Sequence, residues 1–294
     1  RSDLKPAMYV VIGASLWGII GLFTRPLYES GLSALQIALL RCTVTLIALT
    51  IVILFLDRGL FKIDPRDIWM FIGMGLISFV FFNYMYFMSQ QMVSLSTASV
   101  LLYTAPCFVM MMSMVLFKEK LTKNKLLALV LALIGCVFTS GIGSGDMNIG
   151  ILYGILAGFG YSLYSIFGKF ALRKYSLLTT LFYTFLVATV CLIPFTDAPY
   201  VISCMGDTDV LLMAIGLGML CTVLPFYFYT AGLNGMNAGK ASIIAFVEPM
   251  VATVMSIIVG DEFGWTNVLG IILILGSVIL LNLGSKESVQ DVSG

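Results

Sequence analysis

Ala245-Phe246-Val247-Glu248-Pro249-Met250 sets a carboxylate and a proline side by side in the middle of an apolar run. From Lys240 to Asp261 no other residue is charged. An acid at the centre of a membrane-spanning helix costs about 2.5–3.5 kcal/mol on insertion scales. The proline beside it removes a backbone donor and crowds the preceding turn. A costly charge next to a costly helix defect is the pattern of a substrate or proton site in a membrane transporter. A plainer reading also stands: Pro249 only bends the helix, and Glu248 only pairs with a basic residue.

The rest of the chain supports a membrane reading. Of 294 residues, 60% are hydrophobic and 11% charged, whereas soluble domains carry about 25% charged residues. The net charge of +1 supplies no basic field for nucleic acid. The first apolar run, Met8 to Leu22, leads into a hairpin and not into a cleavage site, so no cleavable signal peptide is expected. Of the six cysteines, Cys42, Cys107, Cys136, Cys191 and Cys221 fall in apolar runs, Cys204 falls in a loop, and none has C-x-x-C spacing. Histidine is absent. That removes the usual zinc ligand and proton shuttle, so no metal or cofactor is called for and any proton coupling must use a carboxylate.

Stretches long enough to cross about 30 Å of hydrocarbon number ten, at 8–28, 32–56, 67–89, 94–117, 125–141, 147–172, 177–195, 209–234, 238–259 and 265–284. Short connections make sequence neighbours antiparallel. Arg1, Lys5, Arg58, Lys62, Arg66, Lys118, Lys120, Lys123, Lys125, Lys169, Arg173, Lys174, Lys240 and Lys286 then collect on one side. Arg25 alone stands opposite, among Glu29, Asp146, Asp197, Asp207, Asp209, Asp261 and Glu262. By the positive-inside rule both termini are expected in the cytoplasm, the protein lying as a multi-pass chain in a bacterial cytoplasmic (inner) membrane.

Residues 1–143 and 144–294 repeat one another. Tyr9, Trp17, Phe23 and Arg25 return as Tyr153, Tyr161, Phe167 and Lys169 at a shift of 144. Gly73, Gly75, Tyr84 and Tyr86 return as Gly216, Gly218, Tyr227 and Tyr229 at 143, as do Ala98, Ser99, Pro106 and Glu119 as Ala241, Ser242, Pro249 and Glu262. Each unit holds five helices, an odd number, so consecutive copies are inverted and share a site at their interface near mid-membrane. The expected fold is an all-α membrane protein: ten transmembrane helices in two inverted five-helix repeats that form one transmembrane domain.

With these residues in hand, the chain resembles the EamA-type branch of the drug/metabolite transporter (DMT) superfamily over Tyr9 to Leu283. The likeness rests on the two repeats, on Glu248-Pro249 followed by Gly260-Asp261-Glu262, and on Leu269-Gly270-Ile271-Ile272-Leu273-Ile274-Leu275-Gly276. The first half carries the weaker copy Ala105-Pro106, Lys118-Glu119-Lys120 and Ala132-Leu133-Ile134-Gly135, with alanine in place of the acid. The resemblance implies a secondary carrier, often an exporter of amino acids or related small metabolites, with a central cavity shared by both repeats.

Counting along the helices locates the candidates. Glu248 lies ten residues from the cytoplasmic entry of its helix and Arg41 nine from the outer entry of its own, about 15 Å and about 14 Å deep at ~1.5 Å per residue. Two readings of this pair stay open: charges that substrate or proton separates, with Glu248 taking a proton or an amine and Arg41 a carboxylate, and a permanent structural ion pair. Asn83, Tyr84 and Tyr227 are candidates to line a cavity because their polar groups are too deep for interface anchoring. Tyr103 shares a helix face with Ser99, and Ser242 is the repeat mate of Ser99. Trp17 and Tyr161 are equivalent positions and offer an aromatic cage for a cationic or aromatic substrate. Pro106, Pro225 and Pro249 are kink or gating positions, Pro225 freeing a carbonyl toward cavity or neighbour. Glu119 and Glu262 are read as caps or gates on the helix that follows each.

Four function classes compete. An alternating-access secondary transporter leads, moving a small zwitterion with or without protons. A facilitated exchanger or a lipid or amphiphile flippase is the alternative, with Glu248 recognising substrate or forming a structural pair. A channel would need rings of like groups, which Glu248 opposite Ala105 does not supply. An intramembrane enzyme would need a metal, nucleophile or paired-carboxylate cluster, and no such pattern or nucleotide motif is present. The expected partners are a small-molecule substrate, protons and the lipid bilayer, with no nucleic acid. A monomer is sufficient to enclose a site, and a dimer is compatible.

Overall fold

The computed structural model describes residues 4–93, 95–140, 149–259 and 264–290. Among them the chain is all-helical, and ten long helical segments carry it. These are α1 (Leu4–Glu29), α2 (Ala34–Leu56), α3 (Pro65–Met92), α4 (Thr97–Leu116), α5 (Lys123–Ser140), α6 (Ile149–Leu172), α7 (Leu177–Phe195), α8 (Thr208–Gly235), α9 (Ala238–Met255) and α10 (Trp265–Gln290). A short helix, Ala198–Cys204, joins α7 to α8.

Eight of these segments, all but α5 and α10, are long and apolar enough to cross a membrane among the described residues. This falls short of the ten crossings expected. The apolar part of α10 is Trp265–Leu281, and α5 packs along α10. Large apolar side chains cover the outside of the bundle, Phe55 at 87% exposure and Val115 at 78%. That surface suits lipid and would be an aggregation hazard in water. The protein is thus a multi-pass membrane protein.

Local chemistry sets the ends. Ser33 and Gln36 form a reciprocal capping box at the start of α2, Gln36 N donating to Ser33 Oγ at 3.4 Å and Ser33 N to Gln36 Oε1 at 2.8 Å. Ser176 caps α7 through Thr179 N, and Asp207 caps α8 through Asp209 N. Gly31 takes φ +90°, which lets the α1–α2 hairpin close tightly.

The helix pairings follow a pattern. α1 packs on α8 and α9, and α6 packs on α3 and α4. α2 meets α8 and α7 meets α3, while α2 also meets α7. Exchanging the first five segments for the last five leaves this set of pairings unchanged. One buried cluster, including Trp17, Phe71, Phe185, Phe226 and Phe246, fills the middle. A second, with Leu27, Leu32, Ile37, Leu40, Val201, Val210 and Leu217, seals the end beneath the short helix.

Candidate functional site

Two long segments are broken where proline follows. α9 runs helical over Ala238–Ile244, turns at Ala245-Phe246, and resumes at Val247. In the turn Phe246 N donates to Ile243 O (3.1 Å) and Glu248 N to Ala245 O (2.9 Å). Pro249 has no N–H to continue the ladder. Glu248 therefore sits in the first turn of the second half-helix, where the backbone dipole favours negative charge. α4 breaks in the same way at Tyr103-Thr104, ahead of Pro106.

Glycines on the neighbours make room for both breaks. A Cβ at Gly18 on α1 would lie 2.8 Å from Glu248 O, and one at Gly158 on α6 would lie 3.1 Å from the carbonyls of Leu101 and Leu102. Helix backbones thus meet where each break exposes its polar groups.

Glu248 makes no hydrogen bond or ion pair within 4 Å with a described residue. Its oxygens are nevertheless not sealed, because the one sealed side-chain polar atom without a partner among the described residues is Ser113 Oγ. The carboxylate belongs to a half-buried residue within the bundle. The hydroxyls of Tyr103 and Tyr161, also half-buried, have no hydrogen-bond partner among the described residues. Arg41, Tyr86, Tyr103, Cys136 and Tyr161 all lie within electrostatic reach of Glu248. These groups come from five helices, α2 to α6.

Arg41 is not ion-paired to Glu248. Its Nε donates to Thr222 Oγ1 (3.1 Å) and its Nη2 to Cys221 O (3.3 Å), and its guanidinium lies 5.5 Å over the Phe79 ring. The second acceptor has a local cause. Pro225 stands four residues after Cys221 and lacks the N–H that would have used that carbonyl. The helix answers with π-helical turns over Met219–Val223, and Thr222 Oγ1 donates back to Leu217 O at 3.0 Å. Arg41 Nη1 makes no hydrogen bond to a described residue.

The family model described as the EamA-like transporter family matches the chain twice, over residues 4–141 and 148–283. The chain belongs to the EamA-like transporter family. Among its relatives are an "Uncharacterized transporter" of Archaeoglobus fulgidus, 28% identical over 92% of this chain and 94% of the relative, and "Uncharacterized transporter YdfC" of Bacillus subtilis, 27% identical over 73% and 71%. A "S-adenosylmethionine uptake transporter" of Rickettsia felis is 22% identical over 66% and 65%. A solved crystal structure, 17% identical, superposes with a TM-score of 0.80 over 96% of this chain and 98% of its own, a likeness of fold.

In this EamA-like chain the residues singled out from sequence scatter to different places. Trp17 is buried and meets Tyr161 edge-on at 6.4 Å, within an aromatic group that includes Phe226 (5.0 Å) and Tyr229 (5.2 Å). Tyr103 meets Phe246 at 5.9 Å. Ser99 shares a 3.0 Å hydrogen bond with Tyr86, and Ser242 donates to Gly239 O. Asn83 turns back on its own helix, Nδ2 donating to Phe79 O at 2.7 Å. Tyr84 and Tyr227, 41% and 42% exposed, are not part of the enclosed group. Tyr84 instead borders an apolar groove of about 450 Å³ with Leu35, Leu76, Ile77 and Leu192. The two tyrosines that do point inward are their neighbours two residues on, Tyr86 and Tyr229. Tyr229 shares a 2.8 Å hydrogen bond with Ser165, and Tyr164 one of 2.7 Å with Thr230.

Glu119 is a cap, though not of the helix that follows it. It accepts from Ala238 N (2.9 Å) and Gly239 N (3.4 Å) at the start of α9, with Lys125 Nζ 3.9 Å away. Nearby, Lys169 donates to Met236 O. A further polar knot ties the α2–α3 connection to the α6–α7 turn, where Lys174 and the Tyr175 hydroxyl both bond Asp67 and Tyr183 donates to Phe61 O at 2.6 Å. Glu262 lies outside the described residues.

Proposed function

We propose that this EamA-like chain is an alternating-access secondary transporter for a small zwitterionic metabolite, with Glu248 as its protonatable centre. The observation that carries the reading is the unpaired, half-buried Glu248 carboxylate, held at the break of α9 within electrostatic reach of Tyr103, Tyr161 and Arg41. An unpaired acid in a membrane bundle is costly, and a substrate ammonium or a proton removes that cost. Arg41 Nη1, steadied by the π-helical turns of α8, takes the carboxylate, and the tyrosine hydroxyls bond what remains. Ser99, Ser242 and Asn83 are supports whose hydrogen bonds already lie within the protein.

The same reading includes ten crossings, with α5 and α10 as the last two, in two inverted repeats whose termini share the cytoplasmic side. Two pairs of repeat mates touch each other: Trp17 with Tyr161, at the shift of 144, and Tyr103 with Phe246, at 143. Residues on a pseudo-two-fold axis must do so. The exchange-symmetric helix pairings and the doubled family match support it too. Rocking one repeat against the other about that axis opens the site to each side in turn. The relative named for S-adenosylmethionine uptake has a cargo that bears an amino-acid head, which fits the Glu248 and Arg41 arrangement.

A second reading, movement of an amphiphile, draws on the apolar groove beside Tyr84, which would take a hydrocarbon tail. Counterflow in proteoliposomes separates the two. Vesicles preloaded with one unlabelled amino acid at a time, and then with short-chain phospholipid, are given the labelled compound outside. Saturable uptake of an amino acid that depends on both Glu248 and Arg41 is expected. Scrambling of the lipid with no amino-acid counterflow would overturn the zwitterion assignment.

A further inference from the structure

At the basic end of the bundle a polar pocket of about 330 Å³ opens between the last turns of α4, α6 and α8, apart from Glu248. Phe117 and Leu172 give it apolar walls, Lys169, Arg173, Asn234 and Asn237 give it donors, and Glu119 stands at its edge. Its charges do not balance. Glu119 is committed to the backbone of Ala238 and Gly239 and has Lys125 beside it. Lys169 donates a hydrogen bond to the Met236 carbonyl, a neutral acceptor. Arg173 lies over the rings of Phe117 (5.1 Å) and Phe170 (5.5 Å), which fixes its plane and leaves its charge uncompensated. Neither cation has a carboxylate within 4 Å among the described residues, and the side-chain amides of Asn234 and Asn237 make no hydrogen bond to one.

We propose that this pocket binds the phosphate of an anionic membrane lipid, with Lys169 and Arg173 as charge partners and the two asparagine amides donating to its ester oxygens. The chemistry is that of a phosphate site: a guanidinium fork and an ammonium converging on one space with neutral donors around it. The position selects the lipid as the source. The candidate membrane span of α6 ends at Leu172, with Lys169 just inside that end and Arg173 just past it, where lipid head groups are expected. There anionic lipid attracts basic side chains. The apolar walls would meet the glycerol and the first methylenes, which a free phosphate lacks. A lipid so placed would tie α6 to the α8–α9 turn. The proposal does not depend on what the transporter carries.

Native mass spectrometry of the purified protein in detergent, titrated with phosphatidylglycerol or phosphatidylcholine, tests it. Phosphatidylglycerol adducts should form in preference to phosphatidylcholine adducts. Each lost cation should weaken phosphatidylglycerol binding by about fivefold, and Lys169→Gln with Arg173→Gln by about 25-fold. Lys169→Arg and Arg173→Lys, which keep the charges, check that any loss is not a folding defect and should hold the lipid within a few-fold of the parent. Lys118→Gln with Lys120→Gln removes two charges from the same end but outside the pocket, and should leave binding near the parent value. Equal binding of both lipids, a Gln double variant that binds like the parent, or an equal loss in the Lys118/Lys120 control would each overturn the proposal. Displacement of the lipid by an equal concentration of glycerol phosphate or inorganic phosphate would overturn the lipid as the ligand.

Discussion

Replacing Arg41 by lysine should keep the charge and lose the anchor. In the parent, Nε and Nη2 are held by Thr222 Oγ1 and Cys221 O, so Nη1 is presented to the site without further ordering. A lysine brings one nitrogen on a flexible stem. It can satisfy the Cys221 carbonyl, or it can reach the substrate. In either case the bound state lacks one hydrogen bond to a charged group, about 1.5–3 kcal/mol, or roughly 10- to 150-fold in Kd. The assay is equilibrium binding to purified protein of an amino acid that shows counterflow, alongside its methyl ester. The zwitterion should lose affinity by that factor and the ester, which has no carboxylate, should not. Equal losses for both compounds, or no loss for either, would refute the assignment of Arg41 as carboxylate anchor.

Other consequences follow from packing and caps. A Cβ at Gly218 on α8 would lie 2.3 Å from Val44 Cγ1 and 2.5 Å from Val44 Cβ; because the Cβ is fixed to its backbone, Gly218→Ala should cost about 1–3 kcal/mol, read as a lowered Tm in detergent. Gly21→Ala, where nothing lies within 4 Å, should be neutral or stabilising by up to about 1 kcal/mol through helix propensity. Glu119→Ala removes the cap of Ala238 and Gly239 and should cost about 0.5–2 kcal/mol, again read as Tm, with Glu119→Gln milder. The hydrogen bond to Asp67 holds the Lys174 ammonium above the ordinary lysine range. Its contribution is therefore complete below that range and fades as pH rises through the raised value. The stability gap between parent and Lys174→Met should persist through neutral pH and close only in strong alkali.

Much of this was legible because the deciding costs are local. A carboxylate beside a proline in an uncharged run announces itself, and the break at Ala245-Phe246 follows from the missing N–H of Pro249. A freed carbonyl facing cavity or neighbour was expected ahead of Pro225, and in the structure Arg41 Nη2 donates to Cys221 O. The equivalence of Trp17 and Tyr161 emerged from the repeat, and the two rings meet. What failed was the choice between Tyr84 and Tyr86, and between Tyr227 and Tyr229. Residues two apart on a helix point about 200° apart, from 3.6 residues per turn, so the phase decides everything. Here π-helical turns over Gly73–Val80 and Met219–Val223 reset that phase just before each pair, and neither residue type nor periodicity marks them. Glu119 illustrates a second limit. Its acid was read as a cap, but its partner lies 119 residues away, a distance that only the folded bundle closes.

The central claim is that Glu248 is left unpaired so that substrate or proton can pair it. Uptake into proteoliposomes under an imposed pH gradient, comparing the parent with Glu248→Gln, tests it most directly. The parent should accumulate its amino acid only with the gradient, and Glu248→Gln should keep exchange while losing accumulation. If Glu248→Gln accumulates substrate as well as the parent, Glu248 is not the protonatable centre, and the break at Pro249 is a matter of packing alone.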